Sequence, residues 1–184
     1  LMILVHDLKH EIADINDIDK SQRIQKLNDD LISFSTFYKT GNDVLDLVLA
    51  ERKHKLSIHE ITTTVMADGS SISFMNSSDI YALFMNMFDN AIDALLKVQN
   101  HAKRTISLSI RKHMGLIFIH EENPYCGLIK FKDDIPMTDK KESIEHGYGS
   151  LSIKRIAQKY GGYVNYDVDD GVFKIDIVLD PSTT

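Results

Sequence analysis

Two asparagines and two aspartates recur at helical spacing in the segment NMFDNAID, at Asn86, Asp89, Asn90 and Asp93. Residues three and four positions apart share one face of a helix, so this spacing places two amides and two carboxylates in one patch. Asparagine is a poor helix former, and its side-chain carbonyl is a hard oxygen ligand of the kind that Mg²⁺ accepts beside nucleotide phosphates. The patch indicates a magnesium and phosphate site. A solvated helix face is the alternative that spacing alone leaves open.

A second candidate group lies in VHDLKHEIADI, where His6 stands beside Asp7 and one helical turn before His10. Two histidines at this spacing can bind Zn²⁺, but a zinc site needs three or four ligands, and no further cluster is evident in the sequence. A catalytic histidine with an acidic neighbour and two solvated histidines are the other interpretations.

The segment HGYGSLSIKRIAQKYGG places Gly147 and Gly149 before a predicted helix. Glycines at a helix N-terminus let backbone N–H groups approach a phosphate, and the helix dipole favours the anion. The polar segment 130–146 that precedes this helix has no packing period and contains Lys140 and Lys141. A long segment of this kind beside a phosphate-binding turn is typical of a lid, whereas a surface loop is the alternative.

Polar residues also end a predicted strand in IHEENPYCG. Glu121, Glu122 and Asn123 close the strand, and Pro124 stops it. Side chains at a strand end are well placed to touch a ligand, although a charged turn explains the same residues.

The apolar pattern predicts the elements that position these groups. Heptad spacing in 1–15 and in 24–38 predicts two helices with a polar turn between them. Two short helices with narrow apolar stripes bury little, so we expect them to dimerise into a four-helix bundle. The segment KTGND marks the domain boundary, where Gly41 breaks the helix and Asn42 caps the next one.

Beyond this boundary the pattern mixes helices and strands. Helices are predicted from Asn42 through VLDLVLAERKHK, over 79–97 and over 149–160, the last ending at Gly161-Gly162. Strands are predicted at 61–67, as a second short strand in SISFM, and as hairpins 105–110 with 116–121 and 163–168 with 172–179.

Composition bounds the class of protein. The chain has 184 residues, of which 43% are hydrophobic, which is enough for one domain with a core, or for one domain plus a short appendage. A net charge of −6 without a basic block argues against a nucleic-acid partner. The single cysteine, Cys126, suits a reducing cytoplasm, and no apolar run approaches the ~18 residues of a membrane span. The leucine at position 1 is typical of a fragment, which leaves room for an upstream membrane anchor.

In this order, NMFDNAIDA, EENPY, a lysine-bearing segment and HGYGSLSIKRIAQKYGG resemble the ATP-binding domain of the GHKL superfamily, which includes gyrase, Hsp90-type chaperones, histidine kinases and MutL. The leading HDLKH narrows the resemblance to sensor histidine kinases of the peptide-quorum-sensing type, similar to the accessory-gene-regulator sensor. The resemblance implies an α+β chain. Residues 1–40 are expected to form a helical hairpin, half of a dimeric four-helix bundle. Residues 41–184 are expected to form a GHKL α/β sandwich, a mixed sheet covered by helices on one face.

The resemblance also implies roles for individual residues. Asn90 is expected to be the Mg²⁺ ligand with Asn86 as its helper. In place of the usual aspartate and glycines of the adenine box, Asn123 or Glu122 would accept the hydrogen bond of the adenine amino group. The residues expected to bind ATP are Asn86, Asn90, Asp93, Glu122, Asn123, Lys140, Lys141, Gly147, Gly149 and Ser150.

The implied activity is ATP-dependent phosphorylation of His6, with Asp7 as the neighbour that accepts its proton. His10 lies where related families place a residue involved in dephosphorylation. The phosphoryl group would pass to an aspartate of a response regulator. The implied assembly is a homodimer through the N-terminal helices, the cytoplasmic part of a membrane-anchored bacterial sensor, with no membrane contact of its own. The altered adenine box motivates an alternative, a docking or nucleotide-binding scaffold without kinase activity.

Overall fold

The computed structural model describes residues 38–132, 134–137 and 148–183. Its helices are α1 (Asp43–Ile58), α2 (Ser77–Leu95) and α3 (Tyr148–Lys159), with short 3₁₀ helices at Gly69–Ile72, His101–Lys103 and Pro181–Thr183. Its strands are β1 (Thr62–Ala67), β2 (Thr105–His113), β3 (Leu116–Pro124), β4 (Lys130–Lys132), β5 (Ile135–Met137), β6 (Tyr163–Asp169) and β7 (Val172–Leu179). The predicted helices before residue 38, with His6, Asp7 and His10, lie outside the described residues.

Five strands form one sheet in the order β1-β2-β3-β7-β6. The β1–β2 pair is parallel and the other three pairs are antiparallel. In β3 and β7 the side chains alternate between a buried face and a more exposed face, and the three helices pack on the buried side. The structure therefore confirms the α+β architecture with a mixed sheet, and β4 and β5 form a separate pair outside that sheet.

One row across the buried face of this sheet matters for the site. Leu108 on β2 lies opposite Glu121 on β3, which lies opposite Ile175 on β7, and Ile175 lies opposite Tyr166 on β6. Neighbouring strands are 4.7–4.9 Å apart, so Glu121 and Tyr166 are separated by about 10 Å across the sheet.

Helix α2 contributes the largest apolar face to the core. Its buried side chains recur at spacings of three and four residues, as the sequence predicts, and are Ile80, Leu83, Phe84, Met87, Phe88, Ala91, Ile92 and Leu95. Full burial of one large apolar side chain contributes about 1.5–3 kcal/mol, so this face strongly fixes the rotation of α2 about its axis. The asparagines on the other side of the helix are positioned by that packing.

Helix α1 begins as the sequence predicts. The side-chain oxygen of Asn42 accepts hydrogen bonds from the backbone N–H groups of Val44 and Leu45, both at 3.1 Å, which satisfies two otherwise unpaired donors of the first turn. Farther along α1, Arg52 and Lys55 form ion pairs with Asp89 of α2 at 3.1 and 3.2 Å. These contacts hold the first two helices together at the surface.

Helix α3 ends at the predicted glycines. The N–H of Gly161 bonds the carbonyl of Gln158 at 3.2 Å, and that of Gly162 bonds the carbonyl of Ala157 at 2.9 Å. This is the Schellman pattern, which requires a left-handed residue, and Gly161 has φ of +65°. A side chain at Gly161 would also collide with Thr183.

Two expectations about secondary structure were wrong. SISFM is not a strand, because the N–H groups of Ser73 and Met75 bond the carbonyls of Ser70 and Ile72, three residues back, so the chain coils locally while Ile72 is buried in the core. The segment predicted to have no regular structure contains β4 and β5. Both hairpin turns are confirmed, with positive φ at Met114-Gly115 and at Asp170-Gly171, as type I′ turns require.

Candidate nucleotide-binding site

The asparagines of α2 present their amide oxygens away from the core. Asn86 and Asn90 are both half-buried. The amide nitrogen of Asn86 donates to the carbonyl of Ala82 at 2.7 Å, and this bond assigns the amide orientation, so Oδ1 of Asn86 is the acceptor atom that lies near Gly149.

Gly149, in the first turn of α3, meets both asparagines. A Cβ atom added at Gly149 would lie 3.4 Å from Oδ1 of Asn86 and 3.4 Å from Oδ1 of Asn90. Two amide oxygens therefore converge on the start of a helix, where backbone N–H groups and the helix dipole attract anions. The structure brings Gly149 to the two asparagines, which lie 59 and 63 positions before it in the sequence.

The start of α3 is bound to the sheet next to this point. Ser150 is buried, and its carbonyl oxygen accepts a 2.9 Å hydrogen bond from the hydroxyl of Tyr166 on β6. Burial raises the pKa of Tyr166, so the phenol stays a donor. Tyr166 lies in the same row of the sheet as Glu121. Its bond to Ser150 therefore connects the start of α3, where the two asparagines lie near Gly149, to the row of the sheet that contains Glu121.

Asn123 is the predicted base-binding residue that the structure places on the buried face. It is only 1% exposed. Its amide nitrogen donates to the carbonyl of Pro124 at 2.8 Å, and its Oδ1 has no hydrogen-bond partner among the described residues. A buried amide oxygen without a partner costs about 1–3 kcal/mol, and a ligand amino group would satisfy it.

Glu121 lies two residues earlier on the same face of β3. It is 1% exposed, and neither of its carboxyl oxygens has a partner within the described part of the chain. Burial without a compensating charge raises the pKa of Glu121 from 4.5 to about 8. The carboxyl group is therefore mostly neutral at pH 7 and can donate a hydrogen bond as well as accept one.

The structure does not bring Glu122 to this group. Side chains alternate along a strand, so Glu122 lies on the opposite face of the sheet from Glu121 and Asn123. There it is half-buried, with its carboxylate 3.5 Å from Nε2 of His120. Of the two residues that the sequence offers as acceptors for an adenine amino group, only Asn123 faces the helices.

The acidic residues of α2 separate in the same way. Asp89 faces α1, where it pairs with Arg52 and Lys55. Asp93 is half-buried one turn beyond the cluster and belongs to the patch by its helical position. Lys140, Lys141 and Gly147 lie outside the described residues.

The residues expected from the sequence to bind ATP omit two residues of this site, Glu121, which the sequence indicates only as a strand-end residue, and Tyr166. Alternation within β3 was a usable signal for Glu121, because Ile117, Ile119, Glu121 and Asn123 share one face. Tyr166 carried no such signal, because its contact with Ser150 joins a strand to a different element. In the described residues no cluster of three or more histidine, cysteine, aspartate or glutamate side chains is arranged to hold a metal. No helix of that part of the chain is long and apolar enough to cross a membrane.

Comparison with known proteins identifies the family. The GHKL domain family matches residues 75–180, more than half of the chain and the segment that holds the asparagines, Asn123, Gly149 and Tyr166. The chain belongs to the GHKL domain family. No curated protein matches the sequence.

Solved structures of histidine kinases share the fold. The nucleotide-free catalytic domain of histidine kinase ThkA superposes with a TM-score of 0.58 at 13% identity, covering 77% of this chain and 94% of that domain. Histidine kinase AdeS of Acinetobacter baumannii gives 0.54 at 15% identity, covering 97% of this chain and 93% of AdeS. Full-length ShkA in complex with AMPPNP gives 0.55 at 13% identity, covering 87% of this chain and 36% of ShkA. At these identities the likeness shows the fold, which is that of histidine kinase catalytic domains.

Proposed function

We propose that this chain is the kinase region of a two-component sensor histidine kinase, which binds Mg-ATP and phosphorylates its own His6. The observation that carries the proposal is the convergence of the Asn86 and Asn90 amide oxygens on Gly149 at the start of α3. That donor set suits Mg²⁺ bound together with phosphate, and the unpartnered Oδ1 of Asn123 suits the amino group of adenine.

The base, the phosphates and Mg²⁺ then each have a binding group. Asn90, with Asn86 beside it, would hold Mg²⁺, which supplies charge neutralisation along the phosphates. The backbone at Gly149 and Ser150 would bind the phosphate tail. Gly147, Lys140 and Lys141 would complete the cover of the site from the segment between β5 and α3. Asp93 would support the asparagines from the next turn of α2.

The phosphoacceptor would come from the N-terminal helices. One imidazole nitrogen of His6 attacks the γ-phosphorus, while Asp7 bonds the other nitrogen, fixes the tautomer and stabilises the developing charge. The attacking nitrogen of His6 forms a bond to the γ-phosphorus as the bond between this phosphorus and the bridging oxygen breaks, and ADP leaves. The phosphoryl group then passes to an aspartate on a response regulator.

The remaining features of the proposal rest on the sequence pattern. The heptads of residues 1–38 favour a homodimer, a helical domain over 1–40 and a catalytic domain over 41–184. KTGND would act as the hinge between them. The HDLKH motif favours the peptide-quorum-sensing type, a kinase on the cytoplasmic side of a membrane-anchored bacterial sensor.

This function is tested by incubation with γ-labelled ATP and Mg²⁺. The experiment is done on the full chain and on the intact membrane-anchored sensor to which it is proposed to belong. We expect acid-labile label in the unaltered protein and in Asn165→Ala, a control that alters an exposed asparagine on β6. We expect none in His6→Gln and almost none in Asn90→Ala. Label that survives His6→Gln would refute the phosphoacceptor assignment, and unchanged labelling of Asn90→Ala would refute the magnesium role.

A non-catalytic scaffold is the second candidate, and the adenine box favours it. The adenine box of the GHKL superfamily usually has an aspartate followed by glycines, whereas this chain has Asn123-Pro124-Tyr125. Tight binding of Mg-ATP without any phosphohistidine in the anchored sensor would establish the scaffold in place of the kinase.

A further inference from the structure

Glu121 is a buried carboxyl group that nucleotide binding by the asparagines and the glycine turn does not use. Its two oxygens and Oδ1 of Asn123 are three unpartnered polar atoms on the same face of one strand, among the described residues. Unpaired buried polar groups are rare because each costs free energy, and three together indicate that something outside the described residues pairs with them.

Within the described part of the chain, the side chains packed around Glu121 form no hydrogen bond with its carboxyl group. On β2 and β7 it faces Leu108 and Ile175, and the sides of α2 and α3 that pack on the sheet are apolar. The titratable group on the same face is Tyr166, whose hydroxyl is engaged with Ser150. The buried Arg104, just before β2, donates to the carbonyls of Val98 and His59.

The charged groups on α2 also point elsewhere. Asp89 is paired with α1, and Asp93 lies on the half-buried side away from the apolar face. Burial is the cause of the raised pKa of Glu121, with no charged neighbour contributing. The group therefore meets a ligand as a neutral acid with one donor and one acceptor.

The orientation of Asn123 fixes what the ligand must offer beside it. Because the amide nitrogen is held by the carbonyl of Pro124, Oδ1 is an acceptor and must face a donor. The pair thus presents an acceptor at Asn123 and a donor at Glu121. The Watson–Crick edge of adenine offers the complement, a donor at the 6-amino group and an acceptor at N1.

We propose that Asn123 and Glu121 together recognise this edge of adenine, Asn123 accepting from the 6-amino group and the carboxylic acid of Glu121 donating to N1. This inference rests on the proposed nucleotide binding and deepens it, because it adds Glu121 to Asn123 as a residue that determines specificity for the base. Guanine offers the opposite pattern, an acceptor at O6 and a donor at N1, so its O6 would face the acceptor Oδ1 of Asn123, and GTP is disfavoured whether or not Glu121 keeps its proton. Loss of that proton removes the donor that adenine needs.

The test is a titration of the full chain by calorimetry with Mg-ATP, Mg-GTP and Mg-1-deaza-ATP, which lacks the N1 acceptor. With a pKa of about 8 for Glu121, we expect the Kd for ATP to rise about tenfold between pH 7 and pH 9. At pH 7 we expect 1-deaza-ATP to bind about tenfold more weakly than ATP, the effect of one lost hydrogen bond. Since both carry the same triphosphate, any pH dependence of the phosphates appears equally in both and cancels from their ratio.

Matched variants isolate the carboxyl group. Glu121→Gln keeps a donor and an acceptor but cannot ionise, so the ratio of its affinities for ATP and 1-deaza-ATP should not change with pH. Glu122→Gln makes the same change on the opposite face of β3 and should behave like the unaltered chain. Glu121→Leu should bind ATP and 1-deaza-ATP equally. Thermal unfolding of each variant without nucleotide checks that it is folded at each pH.

The results separate this inference from the proposed function. If ATP does not bind at any pH, both are wrong. Two outcomes would leave nucleotide binding standing and refute the role of Glu121. In the first, ATP and 1-deaza-ATP bind with equal affinity at pH 7. In the second, the ratio of the affinity for ATP to that for 1-deaza-ATP does not fall as the pH rises. A falling ATP-to-GTP preference from pH 7 to pH 9 that is absent in Glu121→Gln supports it.

Discussion

The hydroxyl of Tyr166 on β6 donates a 2.9 Å hydrogen bond to the carbonyl oxygen of Ser150 in the first turn of α3. This bond ties the start of the helix to the sheet beside Gly149, where the amide oxygens of Asn86 and Asn90 converge. The sheet therefore helps to set the position of the turn that is proposed to bind phosphate.

Tyr166→Phe removes this bond and keeps the ring. We expect a loss of about 1 kcal/mol in the free energy of unfolding, because the buried hydrogen bond to the carbonyl of Ser150 is lost. We also expect weaker Mg-ATP binding, measured by calorimetry. Tyr163→Phe, which alters an exposed tyrosine on the same strand, should change neither quantity. Unchanged ATP affinity in Tyr166→Phe would show that the start of α3 is positioned by packing alone.

Gly149→Ala should affect binding more than folding. The added methyl group would make ordinary contacts with the two amide oxygens at 3.4 Å, and alanine is a better helix former than glycine. The free energy of unfolding should therefore stay level or rise slightly, whereas Mg-ATP affinity should fall because the methyl group occupies the space between the asparagines and the turn. Ser152→Ala controls for helix propensity in α3. A large loss of stability with normal ATP binding would contradict the arrangement.

Asn123→Ala tests the base-binding residue. We expect a loss of about tenfold or more in ATP affinity, because the acceptor for the amino group is removed. Glu122→Ala should leave the affinity within about twofold, since that side chain lies on the other face of β3. Equal losses in both variants would mean that the end of β3 binds the base differently from its position in this structure.

Glu121→Gln should change how stability depends on pH. The pKa of Glu121 is about 8 in the folded chain and 4.5 ordinarily, so between these values the folded state keeps a proton that the unfolded chain has lost. The free energy of unfolding therefore falls as the pH rises through this window, by a few kcal/mol in total, and levels off above it. Denaturation by urea at several pH values should show this fall in the unaltered chain and in Glu122→Gln. A variant Glu121→Gln that shows the same fall would assign it to another group.

The contacts of Asp79 predict that the free energy of unfolding depends on pH in the opposite sense in the acid range, where it should fall as the pH falls. Its carboxylate accepts 2.6 Å hydrogen bonds from Lys159 and from the hydroxyl of Tyr160, and these lower its pKa below the ordinary 3.8. The stability that these bonds provide is present above the ordinary value and is lost as the pH falls through the lowered one. Asp79→Asn should cost about 1 kcal/mol near pH 7 and reduce the acid sensitivity, measured by thermal unfolding. Asp167→Asn, at an exposed position of β6, is the control.

Periodicity predicted the parts of the fold that depend on local pattern. The spacing of α2 correctly predicted its apolar face. It also placed Asn86, Asp89, Asn90 and Asp93 in one patch, but Asp89 faces α1 and pairs there with Arg52 and Lys55. Alternation in β3 held enough information to separate Glu121 from Glu122, but only once the strand is known to continue through Pro124. SISFM has strand-like residues, yet burial of Ile72 in the core and local hydrogen bonds override that preference. The contact of Tyr166 with Ser150 depends on how a strand and a helix pack, which no local pattern encodes.

Helix α2 buries eight apolar residues on one side and carries the asparagines on the other. Each residue of a helix turns the chain by about 100°, so inserting or deleting one residue within α2 would either expose part of the core or swing the amides away from Gly149. Length changes should therefore be confined to connections such as 96–104, between α2 and β2. In an alignment of related sequences, the number of residues between the positions of Leu83 and Asn90 should be constant, whereas the length of the 96–104 connection should vary.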